Sequence, residues 1–187
     1  LGKRGIEILN EAATPSVTTF SMPPLTTFCE GDEINLFVTT KSTAPETYTW
    51  KLGNNPVRTT SGLEISKNYI KGQASMADVG TYTVDITNKC GTLSNAARIE
   101  VFVNPTPVVN FEVSSAANQC LPNNQFNFTN RTTVANGSEI RYVWEFGDGD
   151  VNSSAVSTAN HSYLSTGTYT VKLKGINNYS CTGSFTR

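Results

Sequence analysis

Two tandem, mostly antiparallel β-sandwiches are what this sequence predicts, and three observations predict them. Thr, Asn and Ser contribute 26, 19 and 17 residues, 62 of 187, whereas charged residues are only 16%. That balance suits short strands joined by hydrogen-bonding turns and disfavours amphipathic helices, which usually carry more Glu, Lys and Ala. Large apolar residues recur with period two in short segments bounded by Gly, Asn and Pro, the pattern of half-buried strands. The pattern also occurs twice, over residues 15–104 and 105–187, each half being about one domain long.

Taken in order, Gly5-Ile6-Glu7-Ile8-Leu9-Asn10 before Thr14-Pro15 echoes Arg98-Ile99-Glu100-Val101-Phe102-Val103-Asn104 before Thr106-Pro107. The second copy reads as the last strand of the first sandwich, so residues 1–14 read as the last strand of a preceding domain plus its linker. Cys29-Glu30-Gly31-Asp32-Glu33 is a turn feeding the alternating strand Ile34–Val38. Tyr48-Thr49-Trp50-Lys51-Leu52 is a strand that stops at Gly53-Asn54-Asn55-Pro56, a strong turn signal. Asp78-Val79-Gly80-Thr81-Tyr82-Thr83-Val84-Asp85-Ile86 is the next clear strand, and Asn104-Pro105-Thr106-Pro107 forms a short, stiff linker. In the second half, Tyr142, Trp144 and Phe146 alternate into Gly147-Asp148-Gly149, residues suited to a tight turn. Gly167-Thr168-Tyr169-Thr170-Val171-Lys172-Leu173 predicts a second alternating strand opened by a glycine. Ser184–Arg187 stops inside what reads as the last strand of this module. With no initiator Met and no signal peptide, Leu1 is expected to lie inside a longer precursor, the segment being a window on a tandem array.

The run Trp144-Glu145-Phe146-Gly147-Asp148-Gly149, followed by Gly167-Thr168-Tyr169-Thr170-Val171, resembles the PKD domain, a seven-stranded immunoglobulin-like sandwich of surface and secreted proteins. The resemblance covers residues 106–187 and implies an architectural module in which Trp144, Gly147, Asp148, Gly149 and Tyr169 are structural. The first half resembles an immunoglobulin-like domain, with Trp50 as the strand-C tryptophan and Asp78-x-Gly80-x-Tyr82 opening strand F. There the Tyr82 hydroxyl is expected to bond back to the preceding corner. The two usual core cysteine positions hold Val38 and Val84, which predicts closure by aliphatic packing. Cys29-Glu30-Gly31-Asp32 before strand B, Asn88-x-Cys90-Gly91 after strand F and the adjoining PKD-like module together resemble large type IX-secreted surface adhesins of gliding bacteria. That resemblance implies a non-catalytic stalk segment of a long, extracellular, filamentous cell-surface adhesin, serving adhesion and gliding motility. Its implied partners are neighbouring domains of the same polypeptide, secretion or anchoring machinery at the cell surface, and a polysaccharide or other surface ligand. Two rivals stand beside it: carbohydrate- or protein-binding accessory modules of a secreted hydrolase, and the ectodomain of a eukaryotic receptor.

Four cysteines in a low-charge, Thr/Asn-rich chain suggest disulfides and an oxidising setting. One bridge per domain, Cys29–Cys90 and Cys120–Cys181, meets a topological obstacle. In the immunoglobulin fold strands B and F run the same way. Cys29 lies nine residues before Val38 and Cys90 six after Val84, so at about 3.3 Å per residue they diverge toward opposite ends. A disulfide needs Cα atoms within about 7 Å. The expectation is therefore an interdomain Cys29–Cys181 bridge, with Cys90 and Cys120 reaching to neighbouring domains; intradomain pairs and free thiols are the alternatives.

Other chemistry is sparse. With no Cys-x-x-Cys and His161 as the single histidine, no zinc site is expected, and no cofactor is implied. Asp148-Gly149-Asp150-Val151-Asn152 has the Asp-x-Asp-x-Asn spacing that opens calcium loops, but the sixth and twelfth positions are Ser153 and Ala159 instead of Gly and Glu. The competing reading is a structural turn in which Asp148 holds local backbone amides. His161, in His-Ser-Tyr163, matches a His-x-Tyr that packs against the strand-C region of PKD domains, and no Gly-x-Ser-x-Gly elbow accompanies it. Glu30, Asp32 and Glu33 read as a solvated turn. Six Asn-x-Ser/Thr sequons, at Asn127, Asn130, Asn136, Asn152, Asn160 and Asn178, fall in the second half, where composition alone supplies them readily. A formal charge of −1 leaves no footprint for nucleic acid, and no apolar run approaches the ~18 residues of a membrane span.

Overall fold

The computed structural model describes residues 17–19, 27–40, 46–62, 68–154 and 158–187; the strand expected within 1–14 lies outside them. The chain divides into two compact units, Leu1–Val103 and Asn104–Arg187, and each is a β-sandwich.

In the first unit β1 (Val17–Thr19) pairs with β4 (Thr39–Thr40), and β3 (Ile34–Phe37) pairs with β7 (Asn68–Lys71). A five-stranded sheet runs in the order β2 (Thr27–Cys29), β9 (Gly91–Asn104), β8 (Gly80–Asn88), β5 (Glu46–Leu52), β6 (Asn55–Gly62). Period-two alternation turns Ile34 and Leu36, Tyr48 and Trp50, and Tyr82, Val84 and Ile86 into one buried cluster. Val38 and Val84 both lie in that core. Each large side chain removed from water there contributes about 1.5–3 kcal/mol before ordering costs. Leu52 pairs with Asn55, so the β5–β6 turn is the two residues Gly53-Asn54, with Gly53 at φ +59°. Asn55 and Pro56 thus belong to a strand and not to the turn, as an edge strand tolerates the missing proline N–H. The register shift after Trp50 absorbs the irregularity.

Among the described residues the second unit has seven strands. One sheet is β10 (Phe111–Val113), β11 (Phe126–Asn130), β14 (Thr158–His161); the other is β13 (Val151–Ser154), β12 (Ile140–Glu145), β15 (Lys172–Asn177), β16 (Thr182–Thr186). All adjacent pairs are antiparallel. Phe111 anchors the core, meeting Phe128, Trp144 and Phe185 edge-on with ring centroids 6.0, 5.1 and 5.4 Å away. Such contacts are worth about 0.5–1.5 kcal/mol each beyond area burial. The strand expected from Gly167 begins only at Lys172. Tyr169 folds back, its hydroxyl donating to the Ser165 carbonyl at 2.9 Å, and Thr170 is pressed against the turn after β12. Regular pairing resumes at Val171, which exchanges both backbone hydrogen bonds with Arg187.

Candidate functional site

Two kinds of place carry chemistry: the cysteine-bearing turns and one end of the second sandwich. Cys29 and Cys181 are disulfide-bonded, and Cys90 and Cys120 are exposed. Cys29 closes β2, and its N–H donates to Asp32 Oδ2 at 2.8 Å while Asp32 N–H returns to the Cys29 carbonyl at 3.0 Å. Gly31, at φ +93°, lets its own N–H reach the Ala74 carbonyl. Asp32, read from sequence as part of a solvated turn, therefore shapes the turn that presents Cys29.

Cys181 is buried, and its turn is organised by Asn177, only 4% exposed. Asn177 Oδ1 accepts the N–H groups of Tyr179 and Cys181 at 3.0 and 2.9 Å, and its Nδ2 donates to the Pro105 carbonyl at 2.9 Å. Sequence reasoning missed Asn177. Its signal is an Asx turn, since Asn88 Oδ1 likewise accepts the Cys90 N–H at 2.8 Å.

At one end of the second sandwich the Gly147-Asp148-Gly149 turn bends with φ of +85° and +102° at its glycines. A Cβ at Gly147 would come within 2.6 Å of the Thr170 carbonyl oxygen, so close backbone approach is what this glycine permits. Asp148 Oδ1 accepts the Asp150 N–H at 3.1 Å, the local role expected of it. Its other oxygen lies 2.6 Å from His161 Nε2, a contact across thirteen residues. The His161 ring is stacked on Phe146, with centroids 4.1 Å apart and planes 3° off parallel, and it meets Tyr163 edge-on at 4.7 Å. Burial alone would raise the Asp148 pKa, but His161 and the Asp150 amide hold the carboxyl below the usual range. Tyr163 donates its hydroxyl to the Phe146 carbonyl at 2.9 Å, and buried Asn124 bonds both its N–H and its carbonyl. Burial pushes the Tyr163 hydroxyl up to about 12, helped by the Asp148 charge and by Tyr169 stacked 3.8 Å away. Asp148, Asp150 and His161 each bring one ligand atom within 4.8 Å of the others. Asn152, the third position of the calcium-loop spacing, pairs opposite Trp144 on β13 and does not line this cleft.

The motif residues of the first unit are structural in geometry. Trp50 is buried 6.3 Å from Tyr69, ring to ring. Asp78 ends a 3-10 turn, Met76–Asp78; it accepts the Ser75 N–H and Oγ–H at 2.8 Å and pairs with Lys71. Burial would raise its pKa, but Lys71 and Ser75 hold the carboxyl below the usual range. Tyr82 departs from expectation: its buried hydroxyl makes no bond to the preceding corner, lies with its ring 5.3 Å from Tyr69, and is pushed up by burial. Asn136, Asn152, Asn160 and Asn178 are exposed among the sequons, and Asn127 and Asn130 are half-buried.

Residues 110–186 match the PKD domain family. Polycystin-1-like protein 1 of Mus musculus is 28% identical over 158 residues, 84% of this chain and 6% of that protein. Polycystin-1 of Homo sapiens is 29% identical over 171 residues, 89% of this chain and 4% of that protein. The chain therefore spans only a small part of the relatives it matches. Among solved structures, the PKD1 domain of Vibrio anguillarum Epp shares 29% identity, covers 45% of this chain and 90% of its own, and has a TM-score of 0.38. Titin domains I67–I69, in an E-to-A mutated variant, share 15% identity, cover 86% of this chain and 60% of their own, with a TM-score of 0.47. A PKD domain thus occupies the second unit. PKD domains are typically non-catalytic, extracellular-type modules consistent with an adhesion role, and a disulfide fits an oxidising compartment. Among the described residues no helix is long and apolar enough to cross a membrane.

Proposed function

We propose that this chain is a non-catalytic stalk segment of a long filamentous cell-surface adhesin of a gliding bacterium, exported by type IX secretion, in which a Cys29–Cys181 bridge staples the two sandwiches. One observation carries the reading: of four cysteines, the two that are disulfide-bonded sit on shaped turns, one in each unit. Cys90 and Cys120 occupy the complementary positions, the β8–β9 turn and the β10–β11 loop. By the same rule they would link this segment to neighbouring domains of the polypeptide. The mechanism is mechanical. A bridge from 29 to 181 closes a loop of over 150 residues, which in the chain-entropy picture disfavours the unfolded state by about 5 kcal/mol. Under tension that loop cannot lengthen, so extension is confined to the residues outside the bridge. Ligand contact and anchoring would belong to other parts of the protein.

Single-molecule extension of the chain, pulled from its two ends, tests this. Without reductant only the residues outside the bridge can extend. With reductant the contour length should grow by about 50 nm, since each freed residue spans at most about 3.6 Å. Equal contour lengths in both conditions, or a non-reducing peptide map joining Cys29 to Cys90, would overturn the staple.

A further inference from the structure

The sequence contains no spacing typical of a transition-metal site, yet the fold assembles one set of ligands. Asp148 and Asp150 come from the turn after β12, and His161 ends β14 on the other sheet. The Asp150 N–H bond to Asp148 Oδ1 and the Phe146 N–H bond to the Asp150 carbonyl bring the two carboxylates back to one side of the turn. The His161 ring is clamped between Phe146 and Tyr163, and its side chain is only 10% exposed, so Nε2 points one way, toward Asp148. One ligand atom from each of the three lies within 4.8 Å of the others. Typical Zn–N and Zn–O bonds of about 2.0–2.2 Å put tetrahedral ligands roughly 3.3 Å apart. A small opening of the 2.6 Å Asp148–His161 contact would therefore admit an ion.

Charge and surroundings point the same way. The three side chains face an open cleft of about 630 Å³ whose other lining residues include Gln125, Asn160, Ser162 and Ser165, with no Lys or Arg. Among the described residues lining the cleft, no Lys or Arg therefore stands beside the two carboxylates. We propose that Asp148, Asp150 and His161 bind a divalent first-row transition-metal ion, with Zn²⁺ the ion tested. The mixed nitrogen and oxygen set favours such an ion over Ca²⁺, which takes six to eight oxygens. The ion replaces the hydrogen between Asp148 and His161, whose imidazole must be neutral at Nε2, and water from the cleft completes its coordination. It ties the β12–β13 turn to β14, linking the two sheets of the second unit. The proposal stands apart from the stalk reading, since it concerns one unit alone.

His161 is the single histidine of the chain, so its ring resonances report the site without ambiguity. Titrating the 187-residue protein with ZnCl₂ in a non-chelating buffer should move those resonances to a one-to-one endpoint and raise the melting temperature of the second unit. Asp150→Asn leaves the Asp148–His161 contact in place and should weaken Zn²⁺ binding at least about tenfold. Cys120→Ser should leave it unchanged, which separates this site from a thiol. Ring signals unmoved by millimolar ZnCl₂ would refute the site, as would equal affinity in Asp150→Asn. CaCl₂ moving the signals with equal affinity would refute the assigned metal class.

Discussion

Asn177→Ala is the substitution that most directly tests how the Cys181 turn is built. Asn177 is 4% exposed, and its amide holds three backbone groups: the N–H groups of Tyr179 and Cys181 and the carbonyl of Pro105. Tyr179 is exposed, so water can replace its lost partner at little cost. Cys181 and Pro105 are buried, and each group left unsatisfied costs about 1–3 kcal/mol. The expected loss is therefore about 3 kcal/mol from the second unit, which for a domain of this size lowers its melting temperature by roughly 12 °C or more. The two tryptophans divide the chain conveniently, Trp50 in the first unit and Trp144 in the second. Labelling with 5-fluorotryptophan gives one ¹⁹F resonance per unit, assigned by Trp144→Phe. Heating the intact protein should show the Trp144 signal melting early in Asn177→Ala. A shift below 0.5 kcal/mol would mean that relaxation or water satisfies those buried groups, and the reasoning would fail.

Gly147→Ala and Gly149→Ala separate crowding from backbone strain. Both glycines have positive φ, but only Gly147 meets backbone, so its substitution should cost about 2–4 kcal/mol against about 1–2 for Gly149, read by urea denaturation. Tyr169→Phe keeps the stack on Tyr163 but removes the bond to Ser165, and should cost about 1 kcal/mol by the same assay. Tyr163 has a folded pKa raised to about 12, so its contribution is complete below the unfolded value near 10 and is lost as pH climbs between the two. Phenolate absorbance at 295 nm should show at least two tyrosines fewer, Tyr163 and Tyr82, titrating near pH 10 in the folded protein than in urea, and Tyr163→Phe should reduce the alkaline stability loss. Asp78 has the opposite sign: its depressed folded pKa gives stability that is present above the unfolded value near 3.8 and lost as pH falls through the lower folded one. Asp78→Asn should remove that acid dependence and cost the first unit about 1–2 kcal/mol near neutral pH, measured by the Trp50 signal.

What the sequence made legible was the part of the fold written in periodicity. Tyr48 and Trp50, Tyr82, Val84 and Ile86, and Trp144 and Phe146 point inward because side chains alternate along a strand, and that rule needs no tertiary information. Turns stated by glycine were legible too, at Gly53 and at Gly147-Asp148-Gly149. The misreadings share a cause. The Asp78-x-Gly80-x-Tyr82 motif predicts a tyrosine corner at Tyr82, yet that hydroxyl lacks the bond, and it is Tyr169 of the second unit that bonds back to its own loop. Gly167 leaves room for the Tyr169 ring, 3.3 Å from where its Cβ would be, to lie over its own loop. In the first unit the ring of Tyr82 is committed to Tyr69, and Asp78 closes the corner through Ser75 instead. A motif marks the place where a corner must be satisfied; packing decides which side chain does it.

The same limit explains the site residues. Asn177 and Pro105 are 72 positions apart, and Asp148 sits in the turn joining two strands of one sheet while His161 ends a strand of the other. No spacing rule reaches across such separations, because the distance is set by how two sheets stack and not by either segment alone. The local half of each arrangement was nevertheless visible: an Asx turn before a cysteine, and an aspartate between two glycines. Polar side chains that shape their own turn at short range are therefore the residues to follow in this chain, since the second partner each one finds, Pro105 for Asn177 and His161 for Asp148, is where a turn becomes a site.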